Sequence, residues 1–168
     1  SYDWLPLNRV GKGSPYNVIT PRQKGETWTD LDQTNGAYKW LATGTTAGSW
    51  IVVDGDTGVR ALTMTAGYTG TLQVSRVGNG VTIRLDTIGS GGTSATTHTL
   101  ATLPVGLRPA ATLTWLVADG ATLARVTLTS AGVLSVVLAS SGTLTSVSAT
   151  LTLTSRDTWF STLPGTPA

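Results

Sequence analysis

The chain contains no cysteine, so it can form neither a disulfide nor a thiolate metal site. Charged residues make up only 12% of its 168 residues, about half the share that is usual in soluble domains. Its 11 basic and 9 acidic residues form no basic stripe, which disfavours nucleic-acid binding. No apolar run approaches the roughly 18 residues that a membrane-spanning helix needs, so we expect no membrane insertion.

Histidine is nearly absent as well, and this limits the chemistry available to the chain. With the single histidine His98 and few carboxylates, a catalytic triad is hard to assemble. We expect no catalytic residue, no enzymatic activity, no cofactor and no metal. His98 follows a Thr-rich run and is expected to be an exposed or partly packed loop residue. A metal bound by three copies of His98 at a trimer axis is the weaker alternative.

Close pairs of carboxylates occur only at Asp30/Asp32 and Asp54/Asp56. Aspartates are common in turns because their side chains bond the nearby backbone, and we expect that use for both pairs. Two alternatives stay open: a pair of glycosidase carboxylates and a calcium site at Asp54–Asp56. The glycine-rich stretches 78–80 and 89–92 precede no helical pattern, so neither resembles a phosphate loop.

Threonine is abundant, with 32 copies, and glycine contributes 20. Threonine and valine favour strands because their branched side chains pack well on a pleated surface. Glycine or proline punctuates the chain every 8 to 12 residues or so, and no window has helical periodicity. The sequence therefore predicts an all-β protein, with a compact antiparallel β-barrel or jelly roll of seven or eight strands over residues 61–154.

Four regions follow from these patterns. They are an extended arm (1–24), a small β-hairpin module (25–57), a β-barrel domain (58–162) and a tail (163–168). Asn35-Gly36 predicts a two-residue hairpin turn in the module. Alternation over residues 72–85, broken at Gly78–Gly80, predicts a second hairpin in the barrel. Trp159 and Phe160 are expected to pack the tail onto the barrel.

Aromatic and arginine residues supply the candidate binding positions. Trp28, Trp40 and Trp50 crowd into the hairpin module, where they form either a small aromatic core or a sugar-stacking platform. The segment Leu103–Pro109 holds two prolines, one glycine and one arginine, which predicts a rigid crossing between blocks of strands. Arg108 either ties this crossing to carbonyl or carboxylate groups through its five donors, or binds a ligand.

Two segments carry a resemblance to a known family. Residues 58–63 (GVRALT) with 70–83 (GTLQVSRVGNGVTI) are similar to the opening hairpin of C-terminal head domains in tailed-phage receptor-binding and tail-fibre proteins. Residues 103–109 (LPVGLRP) with 124–134 (ARVTLTSAGVL) resemble a recurrent pattern of the same domains. A weaker match, residues 25–30 with 36–50, looks like hairpin modules of phage fibres and minor tail proteins, especially of actinobacterial phages.

The resemblance implies a homotrimeric virion protein at the tail tip or in a tail fibre that attaches the phage to a host-surface saccharide. No contact residue transfers from the resemblance. We expect residues 1–24 to contact other virion proteins and the loops 89–97, 119–122 and 139–143 to carry receptor binding. One alternative is a capsid decoration protein or head fibre that grips the capsid through residues 1–24. Another is a glycan-depolymerising fibre enzyme that uses one of the two aspartate pairs.

Overall fold

The computed structural model describes residues 8–33 and 35–168, and every regular element in these two ranges is a β-strand. This confirms the all-β class. The strands belong to two compact units, Ser1–Thr57 with Thr158–Leu163, and Gly58–Asp157 with Pro164–Ala168. Residues 158–162 therefore belong to the first unit, whereas the sequence analysis assigned them to the barrel.

The first unit is built on a four-stranded sheet. Its strands are β1 (Asn8–Gly11), β2 (Thr27–Asp30), β3 (Ala37–Ala42) and β4 (Trp50–Gly55), in the order β1-β2-β3-β4. β1 lies parallel to β2, and the other neighbours are antiparallel. The described part of the predicted arm thus contributes a strand to the first unit.

A buried carboxylate holds residues 8–24 against the rest of the first unit. Glu26 is almost fully buried, with the guanidinium groups of Arg9 at 2.9 Å and Arg22 at 2.6 Å from its Oε1. Burial alone would raise the pKa of Glu26, but hydrogen bonds from Arg22 and the charges of Arg9 and Arg22 outweigh it and lower the pKa. The prediction of an extended arm missed these contacts because their partners lie beyond the arm. Residues 1–7 lie outside the described residues.

The turn predicted at Asn35-Gly36 is longer than two residues. β2 ends at Asp30 and β3 begins at Ala37, with Trp28 directly opposite Trp40. The Asn35 side chain donates to the carbonyl oxygen of Phe160 at 3.0 Å and accepts from the Ala37 N–H at 3.3 Å. Asn35 therefore does not form a tight turn but joins the β2–β3 loop to the segment that contains Phe160.

The second unit contains one curled sheet. Its strands are β5 (Arg60–Leu62), β6 (Thr69–Val77), β7 (Gly80–Gly89), β8 (Ala95–Thr102), β9 (Leu113–Asp119), β10 (Thr122–Leu128), β11 (Val133–Gly142), β12 (Val147–Thr154) and β13 (Thr166–Pro167). Their order is β13-β5-β6-β7-β12-β9-β10-β11-β8, and all pairs are antiparallel. The N–H of Thr65, between β5 and β6, donates to Leu100 of β8 at 2.7 Å, so opposite ends of the order meet.

The predicted hairpin over residues 72–85 is confirmed as β6 and β7. The inward side chains form part of the core; they are Leu72, Val74, Val81, Ile83 and Leu85. The turn between the strands needs a residue with positive φ, and Gly78 supplies it at 56°. Positive φ at the first central position alone is typical of a type II′ turn, whose twist matches that of the flanking strands.

The sheet is weakly joined between β12 and β9. Their ladder consists of one residue pair, Val147–Asp119, whereas β9 pairs with β10 along its whole length. The two strands therefore meet only at this pair and diverge along the rest of β9, from Asp119 back to Leu113. In β9 the side chains of Leu113, Trp115 and Val117 share the inward face but stay half-buried.

Trp159 and Phe160 belong to the first unit, which corrects the expectation that they pack onto the barrel. Trp159 packs against the buried cluster of Trp28, Trp40 and Trp50, and its Nε1–H donates to the carbonyl oxygen of Asn35 at 2.9 Å. Pairing of this segment with a residue more than a hundred positions earlier leaves no local signal in the sequence.

Candidate functional site

The loops predicted to bind a receptor lie together in the second unit, around the buried hydroxyl of Ser90. Ser90 follows β7, and its Oγ accepts the N–H of Leu144 at 3.0 Å and donates to the carbonyl oxygen of Thr93 at 2.7 Å. Its own N–H donates to the carbonyl oxygen of Leu144 at 3.1 Å. The two bonds between Ser90 and Leu144 fix the β7–β8 loop against the segment between β11 and β12, and the bond to Thr93 lies within the loop.

His98 fastens the same two segments from within β8. The side chain is fully buried, and its Nε2 lies 3.0 Å from the carbonyl oxygen of Gly142. A carbonyl only accepts, so Nε2–H donates to Gly142, and Nδ1 lies within hydrogen-bond distance of the Tyr68 hydroxyl, at 3.3 Å. Burial raises the pKa of the Tyr68 hydroxyl above its ordinary value. His98 is thus a buried strand residue, which corrects the prediction of an exposed or partly packed loop position.

Asp119 connects the third loop to this group. It ends β9, is buried, and its Oδ1 accepts the N–H groups of Thr145 and Ser146, each at 2.8 Å. The sequence analysis placed Asp119 only in the loop 119–122. Its partners lie more than twenty positions away, and turn patterns in a sequence do not report such distant contacts.

The surface formed by these loops is polar and uncharged. We define the loop surface as residues 91–94, 120–122, 140–143 and 145–146. Its side chains are exposed, Gly142 excepted, and are serine, threonine, alanine and glycine. Hydroxyl groups on a fixed backbone offer hydrogen bonds to a polyol but no stacking and no charge. The loop surface is therefore able to contribute to saccharide binding but not to proton transfer.

Arg108 acts within the crossing that contains it. Its Nε donates to the carbonyl oxygen of Leu103 at 2.9 Å, and the N–H of Leu103 donates to Gly132 at 2.8 Å. Gly132 has φ 91°, and a β-carbon there would lie 2.5 Å from the carbonyl oxygen of Leu103. The crossing thus packs tightly on the β10–β11 turn. Arg108 ties it to a carbonyl group, and a role in ligand binding stays a prediction.

A buried arginine that the sequence analysis did not single out holds the other side of the crossing. Arg76 on β6 donates to the carbonyl oxygens of Gly78, Gly106 and Asp157 at 2.8, 2.7 and 3.1 Å. Burial lowers the pKa of Arg76, while the charge of Asp157 acts in the opposite direction. An arginine in phase with Leu72 and Val74 in the alternating pattern was the available signal, because a buried charge requires partners.

The predicted aromatic positions form the core of the first unit. Trp28, Trp40 and Trp50 are 7%, 5% and 2% exposed and pack together with Ile19, Val52 and Trp159. Two of the indole N–H groups donate to backbone carbonyls, Trp28 to Gly13 and Trp50 to Ile19. This is the aromatic core that the sequence left open as one alternative. Sugar stacking on these rings stays a prediction and would require the core to open.

The two aspartate pairs lie in the first unit, where Asp30 and Asp54 each form a hydrogen bond within the unit. Oδ1 of Asp30 accepts from the N–H groups of Gly13 and Asp32 at 2.8 and 2.9 Å. A hydrogen bond to Asp54 raises the pKa of the Tyr38 hydroxyl, with smaller effects from burial and from Asp56.

Across residues 8–33 and 35–168, no three His, Cys, Asp or Glu side chains are placed to hold a metal ion. In the same ranges, no helix has the length and apolarity to cross a membrane.

Comparisons with known proteins give one distant likeness. No family model matches the sequence, and no curated protein matches it significantly. Among solved structures, the chain is similar to the head domain of the lactococcal phage bIL170, one of the receptor-binding domains of lactococcal phages. The likeness has 16% identity and a TM-score of 0.45, and it covers 57% of this chain and 96% of that one. A likeness of this degree does not define the family of the chain.

Proposed function

We propose that this chain is a virion protein of a tailed phage that binds a saccharide on the surface of the host cell. The proposed protein is a homotrimer at the tail tip or in a tail fibre, and it has no enzymatic activity. Its second unit is the receptor-binding part. Its residues 1–24 contact other virion proteins.

One observation carries the proposal. The residues that resemble phage head domains, 58–63, 70–83, 103–109 and 124–134, all lie in the second unit, and the three loops expected to bind the receptor lie there as well. Arg76 and Arg108 fix the Leu103–Pro109 crossing, while Ser90, His98 and Asp119 fix the loops. Such a scaffold holds exposed hydroxyl groups in fixed positions, which lowers the entropy lost when a polyol binds.

Trimerisation would strengthen a weak saccharide site. A shallow site that offers hydroxyl groups binds a single sugar weakly, and three linked copies raise the effective concentration at a host surface. The low charge of the chain and its exposed apolar residues are compatible with burial of surface between copies.

Binding to two kinds of particle tests the proposal. Labelled full chain is mixed with host cells and, separately, with capsids emptied of DNA, and its mass in solution is measured by light scattering. We expect saturable binding to cells, no binding to capsids, and a trimer. Binding to capsids and not to cells would contradict the proposal and favour a capsid decoration protein. A monomer at micromolar concentration would contradict the proposed homotrimer. Reducing sugars released from host envelope would contradict the non-enzymatic part.

A further inference from the structure

The edge of β9 that faces β12 is open along most of its length. β9 pairs with β10 throughout, but with β12 only at Asp119–Val147. Asp119 and Thr122 enclose a two-residue turn and form a hydrogen-bonded pair, so the N–H and C=O groups of Thr114 and Leu116 point away from β10. Among the backbone hydrogen bonds that join described residues outside the ladders, none reaches Thr114 or Leu116. Their peptide groups therefore form a free strand edge.

The inner face of β9 is incompletely covered as well. Leu113, Trp115 and Val117 are only half-buried, whereas the residues directly opposite them on β10 are buried. The difference arises on the side of β12, because no strand lies beside these three residues there. A strand added at this edge would cover them.

β9 also lacks the features that protect natural strand edges from pairing with other chains. Such edges commonly carry a charged residue, a proline or a bulge. Residues 113–118 (LTWLVA) contain no charge and no proline, and their ladder with β10 has no irregularity. On the outer face, Leu116 is 74% exposed. Free peptide groups between apolar side chains fit an extended polypeptide strand.

A second free edge lies in the same unit, on β12. This strand pairs with β7 along its length, and its other side meets β9 only at Val147–Asp119. Residues 148–154 (SATLTLT) likewise contain no charge and no proline. Because neither edge carries a charge, the two edges pair without burying one. Within one copy they diverge, so each remains available to a different copy.

We propose that the free edge of β9 pairs with the free edge of β12 in a second copy of this chain. This inference rests on the proposed homotrimer and names the surfaces that form it. A ring of three copies requires that each contact join two different surfaces, because a self-complementary contact joins copies in twos. The β9 and β12 edges are two such surfaces. Each contact continues the sheet of one copy into that of the next and covers Trp115.

The first test measures assembly of the full chain by light scattering over a range of concentrations. Leu116→Lys places a charge at the free edge, and Leu116→Pro removes the N–H but keeps an apolar side chain. Leu123→Lys is the matched control, because Leu123 is also 74% exposed but lies on β10, one strand away from the edge. Circular dichroism and urea titration check that each variant is folded.

We expect the wild type to be a trimer at micromolar concentration. Leu116→Lys and Leu116→Pro should each raise the concentration at which half of the chain is trimeric by about tenfold or more. Leu123→Lys should raise it by less than about twofold.

Cysteine cross-linking identifies the partner strand, and it stays informative if a Leu116 variant fails to fold. The chain has no cysteine of its own, so every disulfide reports an introduced pair. Chain with Leu116→Cys is mixed with chain that carries Ser148→Cys, Thr150→Cys or Thr152→Cys on β12, and the mixture is oxidised. We expect disulfide-linked dimers from at least one mixture that neither chain forms alone. Leu123→Cys in place of Leu116→Cys is the control and should give none.

Three results would overturn the inference: a monomeric wild type, a trimer that neither Leu116 variant weakens, or disulfides that Leu116→Cys forms with itself as readily as with β12. Loss of cell binding in a Leu116→Lys variant that remains a trimer would also overturn it, because the β9 edge would then contact the receptor.

Cell binding separates this inference from the proposed function. A trimer that binds host cells and is unaffected by both Leu116 variants contradicts only the inference. A trimer that depends on Leu116 and cross-links to β12, but does not bind host cells, contradicts only the proposed function.

Discussion

Nη1 of Arg76 donates to the carbonyl oxygen of Gly106 at 2.7 Å, and this bond joins a strand of the first barrel hairpin to the centre of the Leu103–Pro109 crossing. The N–H of Gly106 donates to Oδ2 of Asp157 at 3.2 Å, and the carbonyl oxygen of Asp157 accepts a hydrogen bond from Arg76. One buried cation and one carboxylate thus hold both polar groups of a single glycine. The crossing is fixed by residues outside it as much as by its own prolines.

Replacement of Arg76 should destabilise the second unit strongly. Arg76→Met leaves the carbonyl oxygens of Gly78, Gly106 and Asp157 without their donors, and buried acceptors without partners are costly. We expect a loss of about 3 kcal/mol in the free energy of unfolding. Urea titration measures this loss in the free energy of unfolding, and hydrogen exchange of the β6 and β7 amides shows whether it falls on the second unit.

Arg84→Met is the matched control for that experiment, since Arg84 lies on the same hairpin and is exposed. We expect it to change the free energy of unfolding by less than about 0.5 kcal/mol. Equal effects of the two substitutions would show that Arg76 does not anchor the crossing.

Ser90→Ala should loosen the loops that form the loop surface without unfolding the second unit. The substitution removes the acceptor of the buried Leu144 N–H and the donor to Thr93, a cost of about 1 to 2 kcal/mol. We expect the Leu144 amide to exchange with solvent faster, while amides in the core of β7 stay protected. Ser94→Ala, at an exposed contact with Ser141, is the control and should leave the Leu144 amide unchanged. Unaltered exchange of Leu144 in the Ser90 variant would refute the assigned role.

Local patterns in the sequence predicted the barrel well. Alternation at Leu72, Val74, Ile83 and Leu85, with glycine at the turn, predicted the β6–β7 hairpin, because a two-residue period and a positive-φ residue are local requirements. The parallel pairing of β1 with β2 and the return of Trp159 to the first unit were not predicted. Both depend on partners far along the chain, which no local period reports.

The same limit applies to the candidate site. The loops could be located from their glycine and serine content, but the side chains that bring them together could not be identified. Ser90 and Asp119 look like ordinary loop residues until Leu144, Thr145 and Ser146 are placed beside them. The sequence predicted that Trp28, Trp40 and Trp50 lie close together, and they do. Their burial follows from packing that the sequence left open.

Glu26 should make the stability of the first unit depend on acidic pH. Its pKa is lower in the folded chain than the ordinary value of 4.5, so its ionised form stabilises the fold fully above that pH. This contribution is lost as the pH falls through the folded pKa. Glu26→Gln should therefore destabilise the first unit by about 2 kcal/mol at pH 7, and by progressively less below pH 4.5.

Thermal unfolding of wild type and Glu26→Gln from pH 7 to pH 3 measures that difference. Asp32→Asn is the control, since its exposed contact with Lys12 spans 3.8 Å and contributes little. A wild-type and Glu26→Gln difference that stays constant down to the lowest pH would contradict the buried ion pairs described here.

Competition for adsorption tests the central claim, that this chain binds the host surface as part of a virion, most directly. Host cells are incubated with saturating purified chain, then challenged with the phage, and unadsorbed particles are counted. We predict that the chain blocks adsorption in proportion to its occupancy of the cells, whereas heat-denatured chain does not. Normal adsorption to cells saturated with folded chain would contradict the account.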